Sequence, residues 1–494
     1  MAQKLQIALA PGDGIGPEIT AACLEIFQAA GATDHIEFVP VEMGREVFGA
    51  GDTRGMTDAA IDAIESLGLL YKGPMETPKG GGGKSINVTL RKTFGAFANL
   101  RHFQSLPGVE TVYSQAGVPV DFYVVRENIE DTYGGIEHRL TPDVMECKRL
   151  ITAPGCDQIH EFAFATAREF GISRIHCGHK ANIMKLTDGL FLDRFRHAAR
   201  NHPEIEADDV IIDALCMNLV LRPQDFQMVV LPNLQGDIVS DLAAGLVGGL
   251  GFAPSGNIGD KVSIFEAVHG TAPDIAGQNK ANPTSLLLSG LIMLRHIGLK
   301  RTAAIIENAL LHTLESGVHT GDVRGARAPV GTREFAAAGA SNQGKTPGQR
   351  EARAVPEADA PNFAPPQRPR INRLMRTFEM TTSSVCGCDI YLQTLLAPHD
   401  LAERLSLICA GTPFHLTMMS NRGTQVWPTG SVYTEVVDYY RARFELRDPQ
   451  LIGRIGQLPA IWLLEKVAEK FAVNDFQPLR EYDGQRGYSL AQGQ

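Results

Sequence analysis

The chain has 494 residues, too many for one ordinary core, and its 44% hydrophobic and 21% charged content predicts a globular protein of two or three domains. Lys and Arg total 46 against 56 Asp and Glu, a formal charge of -10, which argues against a general binder of nucleic acid or anionic membranes but leaves room for a local arginine cluster that takes a small anion. No secretory signal is read at the N-terminus, and the longest apolar run, Leu286 to Leu294, is broken by Ser289 and Gly290 and is too short to span a bilayer. The eight cysteines show no metal-type spacing, so buried thiols and a cytoplasmic location are expected.

In chain order, residues 4–10 read as a buried strand. A turn over 11–18 follows, then a helix to about Ala30. Pro17 stands where the third glycine of a G-x-G-x-x-G fingerprint would be, so the signal for a Rossmann phosphate loop is weak and a structural turn is expected. Strands are predicted at 120–125, 173–178, 207–213, 226–232 and 262–268, with a helix over 156–171. Asn282 as N-cap with Pro283 in the first helical position predicts a helix start, and Gly317 a helix end. The alternation gives an α/β chain. Residues 338–370, rich in Gly, Pro, Ser, Gln and Ala, read as a linker. Beyond it, 371–494 read as a separate small α/β domain with helical patterns near 432–447 and 459–471.

Three constellations carry chemistry. Lys84, Ser85 and Asn87 follow Gly80–Gly83 at a helix start, where free N–H groups favour an anion, and Arg91, Arg101 and Arg126 can each fork a carboxylate. Arg126 directly follows an apolar strand, which argues against a merely solvated side chain. Asp237 and Asp241 lie one turn apart on a helix face, and Asp213 ends an apolar strand; such a set suits Mg2+ or Mn2+ rather than zinc, although a cap and a surface acid would give the same spacing. Lys180 beside a metal and arginines would become a usable base, and Tyr133 beside a cation a better acid; alone, each is a packing residue.

Together these segments resemble the isocitrate/isopropylmalate dehydrogenase family. The resemblance rests on GDGIGPE (12–18), KGPMETPKGGGGKSINVTLR (72–91), RENIEDTYGGIE (126–137), HKANIMKLTDG (179–189), NLQGDIVSDLAAGLVGG (233–249) and HGTAPDIAG (269–277). Segments 411–428 and the C-terminal end are similar to an extension found in some bacterial isocitrate dehydrogenases. The implied fold has a large domain (1–97 and 248–337), a small domain (98–247) with a dimer clasp near 131–152, and a C-terminal α/β extension. The implied activity is oxidative decarboxylation of isocitrate by a homodimer. In the family's pattern Ser85 and Asn87 meet the γ-carboxylate, Thr77 lies between substrate and cofactor, and Arg91, Arg101 and Arg126 hold the other carboxylates. Asp237 and Asp241, with Asp213 from the second subunit, bind Mg2+ or Mn2+; Lys180, also from the second subunit, is the base and Tyr133 the acid. Ser85 is a phosphorylation position in some members. Related substrates (isopropylmalate, homoisocitrate, tartrate), NADP as cofactor, and a non-catalytic regulatory subunit are the alternatives.

The resemblance assigns Glu266, His269, Gly270, Thr271, Ala272, Asp274, Ile275 and Asn282 to the cofactor. NADP-dependent members carry lysine and tyrosine where this chain has Asp274 and Ile275. A carboxylate about 4 Å from a 2′-phosphate would cost roughly 4 kcal/mol before screening at an effective dielectric near 20, so the expectation is NAD.

Overall fold

The computed structural model describes residues 4–76, 85–323, 328–363, 382–430 and 435–490. It forms two compact units, residues 1–134 with 150–368 and residues 135–149 with 369–494. Thr77, Lys84 and Gly80–Gly83 lie outside the described residues.

The first unit is built on a ten-stranded mixed sheet. Its strands run, edge to edge, Ile36–Pro40, Leu5–Ala10, Leu69–Lys72, Ser263–Ala267, Pro254–Ile258, Ala98–Gln104, Asp121–Glu127, Met228–Leu231, Arg174–His179 and Glu206–Ile211. Pro254–Ile258 pairs antiparallel with both neighbours, and Ala98–Gln104 runs antiparallel to Asp121–Glu127; the other pairs are parallel. Strands such as Met228–Leu231 are buried throughout because helices cover both faces. Alternation then sorts side chains by face. Val125 and Val230 join a core with Phe162 and Phe164 of the helix Ala153–Phe170. Val124, Val229 and Leu231 join another, with Leu215 and Leu219 of the helix Ile212–Leu221 and Val239 and Ala243 of the helix Asn233–Leu246. Arg126, two residues after Val124, therefore faces the helix Asn233–Leu246. A Cβ on Gly236 would sit 2.6 Å from Arg126 Cγ, so glycine is what lets that helix close over the guanidinium stem.

The N-terminal turn has a structural reason. Ile15 N–H donates to Thr271 O at 2.9 Å, and a Cβ on Gly14, whose φ is +59°, would fall 2.1 Å from that same oxygen. The turn thus braces the 269–277 loop, and two glycines of the failed fingerprint are needed for close backbone approach.

Several local expectations are revised. The strand expected over 207–213 ends at Ile211, and Asp213 lies in the first turn of the helix Ile212–Leu221. The helix expected from Pro283 spans Thr284–His296, so Pro283 is the N-cap rather than the first helical residue; Asn282, one residue further out, accepts from Thr284 N–H through Oδ1 at 3.0 Å. Residues 342–363 are not a free linker. Asp359 accepts from Arg301 N–H and Thr302 N–H at the start of the helix Lys300–Glu315, Asn308 exchanges two hydrogen bonds with the Arg353 backbone, and Arg353 Nε pairs with buried Glu307 at 2.7 Å.

The second unit carries a six-stranded antiparallel sheet ordered Thr424–Trp427, Phe414–Asn421, Tyr439–Leu446, Ser383–Gln393, Ala472–Tyr482 and Gln485–Arg486, with helices Pro398–Cys409 and Leu458–Ala468. Its main strands and helices follow a β-α-β-β-α-β order of the ferredoxin-like kind. The helical pattern read near 432–447 is in fact the strand Tyr439–Leu446, where Tyr440, Ala442, Phe444 and Leu446 enter the core at a period of two. The small hairpin Glu137–Arg139 and Met145–Cys147 belongs to this unit: Thr141 Oγ1 donates to Asp438 at 2.7 Å and Lys148 pairs with Asp475 at 3.1 Å.

Candidate active site

Two neighbouring strands deliver two of the three expected arginines. Arg101 lies on Ala98–Gln104, two residues before buried Phe103, and Arg126 on Asp121–Glu127; they are 3% and 1% exposed. Arg91 comes from the last turn of the helix Ile86–Thr93, which Ser85 precedes as N-cap. Burial first, then repulsion from Arg126 and Arg91, brings the Arg101 guanidinium down to about 9, with Asp237 and Asp241 opposing the shift. It remains charged at neutral pH and is short of counter-charge. Among the described residues, Arg101 Nη1, Arg91 Nε and Asn87 Oδ1 are buried polar atoms with no hydrogen-bond partner. Buried donors without acceptors are costly, and a carboxylate-bearing ligand would satisfy the two guanidiniums.

Arg126 is anchored differently. Its Nε and Nη2 donate to Asn233 Oδ1 at 3.1 and 2.8 Å, and Nη1 pairs with Asp237. Asp237 also accepts from the Tyr133 hydroxyl at 2.5 Å, and the Arg126 guanidinium lies 4.9 Å from the centre of the Tyr133 ring. Burial alone would raise the Asp237 carboxyl, but Arg126, the Tyr133 bond, Arg101 and Arg91 hold it below its ordinary range. The Tyr133 hydroxyl moves the other way from the sequence expectation: burial and the bond to Asp237 raise its pKa rather than making it a stronger acid. Lys92 Nζ fixes its backbone, donating to Tyr133 O at 2.6 Å.

The chain brings some expected partners together and separates others. Asp237 and Asp241 share the helix Asn233–Leu246 as their spacing required. Asp213 instead forms an ion pair with Lys180. Among the described residues no group of three His, Cys, Asp or Glu side chains is placed to hold a metal. Around Lys180, Asp213 and Asp237 large apolar side chains point to solvent: Ile183, Leu186, Met217, Val220, Leu221 and Ile238, at 70, 53, 55, 46, 69 and 60% exposure.

The loop assigned to the cofactor divides. His269 Nδ1 lies 3.0 Å from Gly270 O, while its Nε2 is buried without a partner among the described residues. Burial holds the ring neutral. Asn282 is committed to Asp322, donating at 3.0 Å, as well as to Thr284 N–H. Glu266 does not line the loop's open side. It is 4% exposed and pairs with fully buried Lys72 at 2.6 Å and with Arg91 at 3.4 Å, and these cations bring its carboxyl to about 2 despite burial. Lys72 was missed by sequence reasoning. Its signal was the one that marked Arg126: a cation at the end of a wholly apolar strand, Leu69–Lys72.

A sequence profile described as isocitrate/isopropylmalate dehydrogenase matches residues 6–338. The chain belongs to the isocitrate/isopropylmalate dehydrogenase family. A second profile, the C-terminal domain of bacterial isocitrate dehydrogenase, matches residues 383–494. A Thermus thermophilus protein named an NADP isocitrate dehydrogenase is 43% identical over 99% of this chain and 96% of its own length; one of the same name from Rickettsia felis is 38% identical over all of both. The crystal structure of the TT0538 protein from Thermus thermophilus superposes with a TM-score of 0.87, 42% identity and coverage of 99% and 96%.

These relatives overturn the expectation of NAD, because the Thermus and Rickettsia proteins that match the whole chain are named for NADP. The structure shows why Asp274 was over-read. Its side chain is exposed, where charge interactions are screened. The Asp274 backbone carbonyl accepts from Gln278 Nε2 at 2.7 Å, and Gln278 Oε1 accepts from Lys280 Nζ at 2.9 Å, so the same segment also presents a lysine.

Proposed function

We propose that the protein oxidises and decarboxylates isocitrate to 2-oxoglutarate with NADP as hydride acceptor. We place it in the cytoplasm, as a homodimer whose sites each draw on both subunits. The observation that carries the substrate is the set of buried, partnerless guanidinium donors on Arg91 and Arg101 beside Asp237 and Tyr133. The partnerless Asn87 Oδ1 adds a polar, not alkyl, recognition point, which favours isocitrate over isopropylmalate. All eight cysteines are free thiols, and no described helix is long and apolar enough to cross a membrane.

The donor set fits a divalent ion in part. Asp237 and Asp241 offer hard carboxylate oxygens from one helix, and Asp213 of the partner subunit would complete the set across the apolar patch. When bound, the ion supplies a Lewis acid for the C2 oxygen and the dinucleotide a hydride acceptor. Arg91 and Arg101 hold the α- and β-carboxylates, and Arg126, tied to Asn233, fixes the wall between them and Asp237. Lys180 of the partner subunit takes the C2 hydroxyl proton. Tyr133, whose hydroxyl donates to Asp237 in this structure, delivers its proton to C3 after carbon dioxide leaves; its raised pKa keeps that proton on the hydroxyl at neutral pH until then. Lys280 and Arg333, both exposed beside the 274–279 segment, are cations available to the 2′-phosphate.

Isocitrate-dependent reduction of NADP, with and without EDTA, tests the reading. Turnover that EDTA abolishes and Mn2+ restores is expected, with kcat/KM higher for NADP than for NAD. Turnover of isopropylmalate but not isocitrate would overturn the substrate assignment, and a higher kcat/KM for NAD the cofactor.

A further inference from the structure

Behind the arginines lies a closed network of buried amides. Asn99 sits on Ala98–Gln104, Asn257 on Pro254–Ile258 and Asn128 just past Asp121–Glu127, at 0, 0 and 4% exposure. The donor and acceptor rules fix how each amide points. A guanidinium only donates. Asn99 therefore turns Oδ1 to Arg101 Nε at 2.7 Å, and Asn128 turns Oδ1 to Arg91 Nη1 at 3.3 Å. Both Nδ2 groups then converge on Asn257 Oδ1, at 2.8 and 3.0 Å. That leaves Asn257 Nδ2 facing a carboxylate, Glu266 Oε1 at 2.8 Å. Glu266 returns to Arg91 and is neutralised by Lys72. No amide in the chain can rotate without setting donor against donor, so the network has one orientation.

We propose that Asn257 is a positioning residue for the substrate: by holding Asn99 and Asn128 it sets the planes of the Arg101 and Arg91 guanidiniums that receive two substrate carboxylates. This rests on the functional reading above. Asn257 touches neither arginine; it acts through two amides at once. Asn99 Nδ2 has one other acceptor, Ser255 Oγ at 2.7 Å, and Asn128 Nδ2 has Ala96 O at 3.0 Å, so removing Asn257 loosens both amides without detaching them from the sheet.

The test compares Asn257→Leu with wild type. The KM for isocitrate is expected to rise roughly tenfold or more while that for the dinucleotide stays within about twofold, because only the carboxylate-holding groups lose their alignment. Asn308→Leu is the control: that amide is 2% exposed but bonds the Arg353 backbone, so it is expected to lower Tm without raising the isocitrate KM. A crystal structure of Asn257→Leu reads the guanidinium planes without any turnover. Wild type that fails to turn over isocitrate would count against the functional reading; arginine planes unmoved in the variant, or both KM values rising together, would overturn this inference. Should Asn257→Leu not fold, Asn99→Ala, which reaches Arg101 alone, carries the same readouts.

Discussion

Glu127 follows Arg126 on the same strand and is 5% exposed. Burial raises its carboxyl to about 7, although Ile129 and Glu130 N–H groups donate to it and pull the other way. For an acid raised in this way, both states are protonated below the ordinary value near 4.5 and nothing is gained or lost. Between there and 7 the unfolded chain ionises while the folded one keeps its proton, so stability falls as pH rises, by about 3 kcal/mol in all. Glu127→Gln removes that titration. Urea unfolding between pH 5 and 8 is expected to show a flatter pH dependence in the variant; identical slopes would mean that the carboxyl is not perturbed. None of this was legible in the sequence, where Glu127 is one acid among many. Arg126 was legible because a cation at the end of an apolar strand is conspicuous. Lys72 carried the same signal and was overlooked, whereas the asparagines carried none, since an amide's importance depends on which partners the fold brings to it.

At the level of elements, the second unit shows where pattern reading fails and what the failure hides. The 432–447 segment was read as helical, yet Tyr439–Leu446 alternates cleanly, with Arg441 and Arg443 on the face opposite Tyr440, Ala442, Phe444 and Leu446. The structure accounts for them: Asp389 accepts from Arg443 Nε and Nη2 at 2.8 and 2.9 Å and from Arg441 Nε at 2.7 Å. Arg443 is 3% exposed, and its guanidinium lies 4.9 Å from the centre of the Tyr488 ring. Two arginines on the face turned away from the apolar core become intelligible only when their acid, from a strand remote in sequence, is beside them. Asp389→Asn removes that acid and leaves a buried guanidinium uncompensated, which costs about 3–5 kcal/mol. Calorimetry is expected to show a lower transition for this unit, and Asp389→Asn with Arg443→Met is expected to recover much of the loss; a double variant no more stable than the single would count against a charge-based account. The elements of the first unit were easier to read. Their apolar runs are long and two-sided, and their helix ends carry Asn282, whose side chain accepts from the first helical N–H, and Gly317, which follows the last turn with a positive φ.

For the whole molecule, the decisive question is whether one chain can hold a complete site. Lys180 and Asp213 pair with each other, no described group of three acids is poised for a metal, and Ile183, Met217, Leu221 and Ile238 expose apolar surface around these residues. A second copy placed on that surface by a two-fold axis would cover it and bring its own Lys180 and Asp213 to the Tyr133–Asp237 pair. Sharing has a consequence that a self-contained site does not. In a homodimer of Tyr133→Phe, or of Lys180→Met, both sites carry the defect. In a mixed dimer of the two variants, one site collects both substitutions, and the other receives Tyr133 from one chain and Lys180 from the other and is intact. Unfolding and refolding the two inactive variants together at equal concentration makes about half the dimers mixed, each with one working site, so about a quarter of wild-type activity is expected to return. With self-contained sites each chain of a mixed dimer keeps its own defect, and no activity would return.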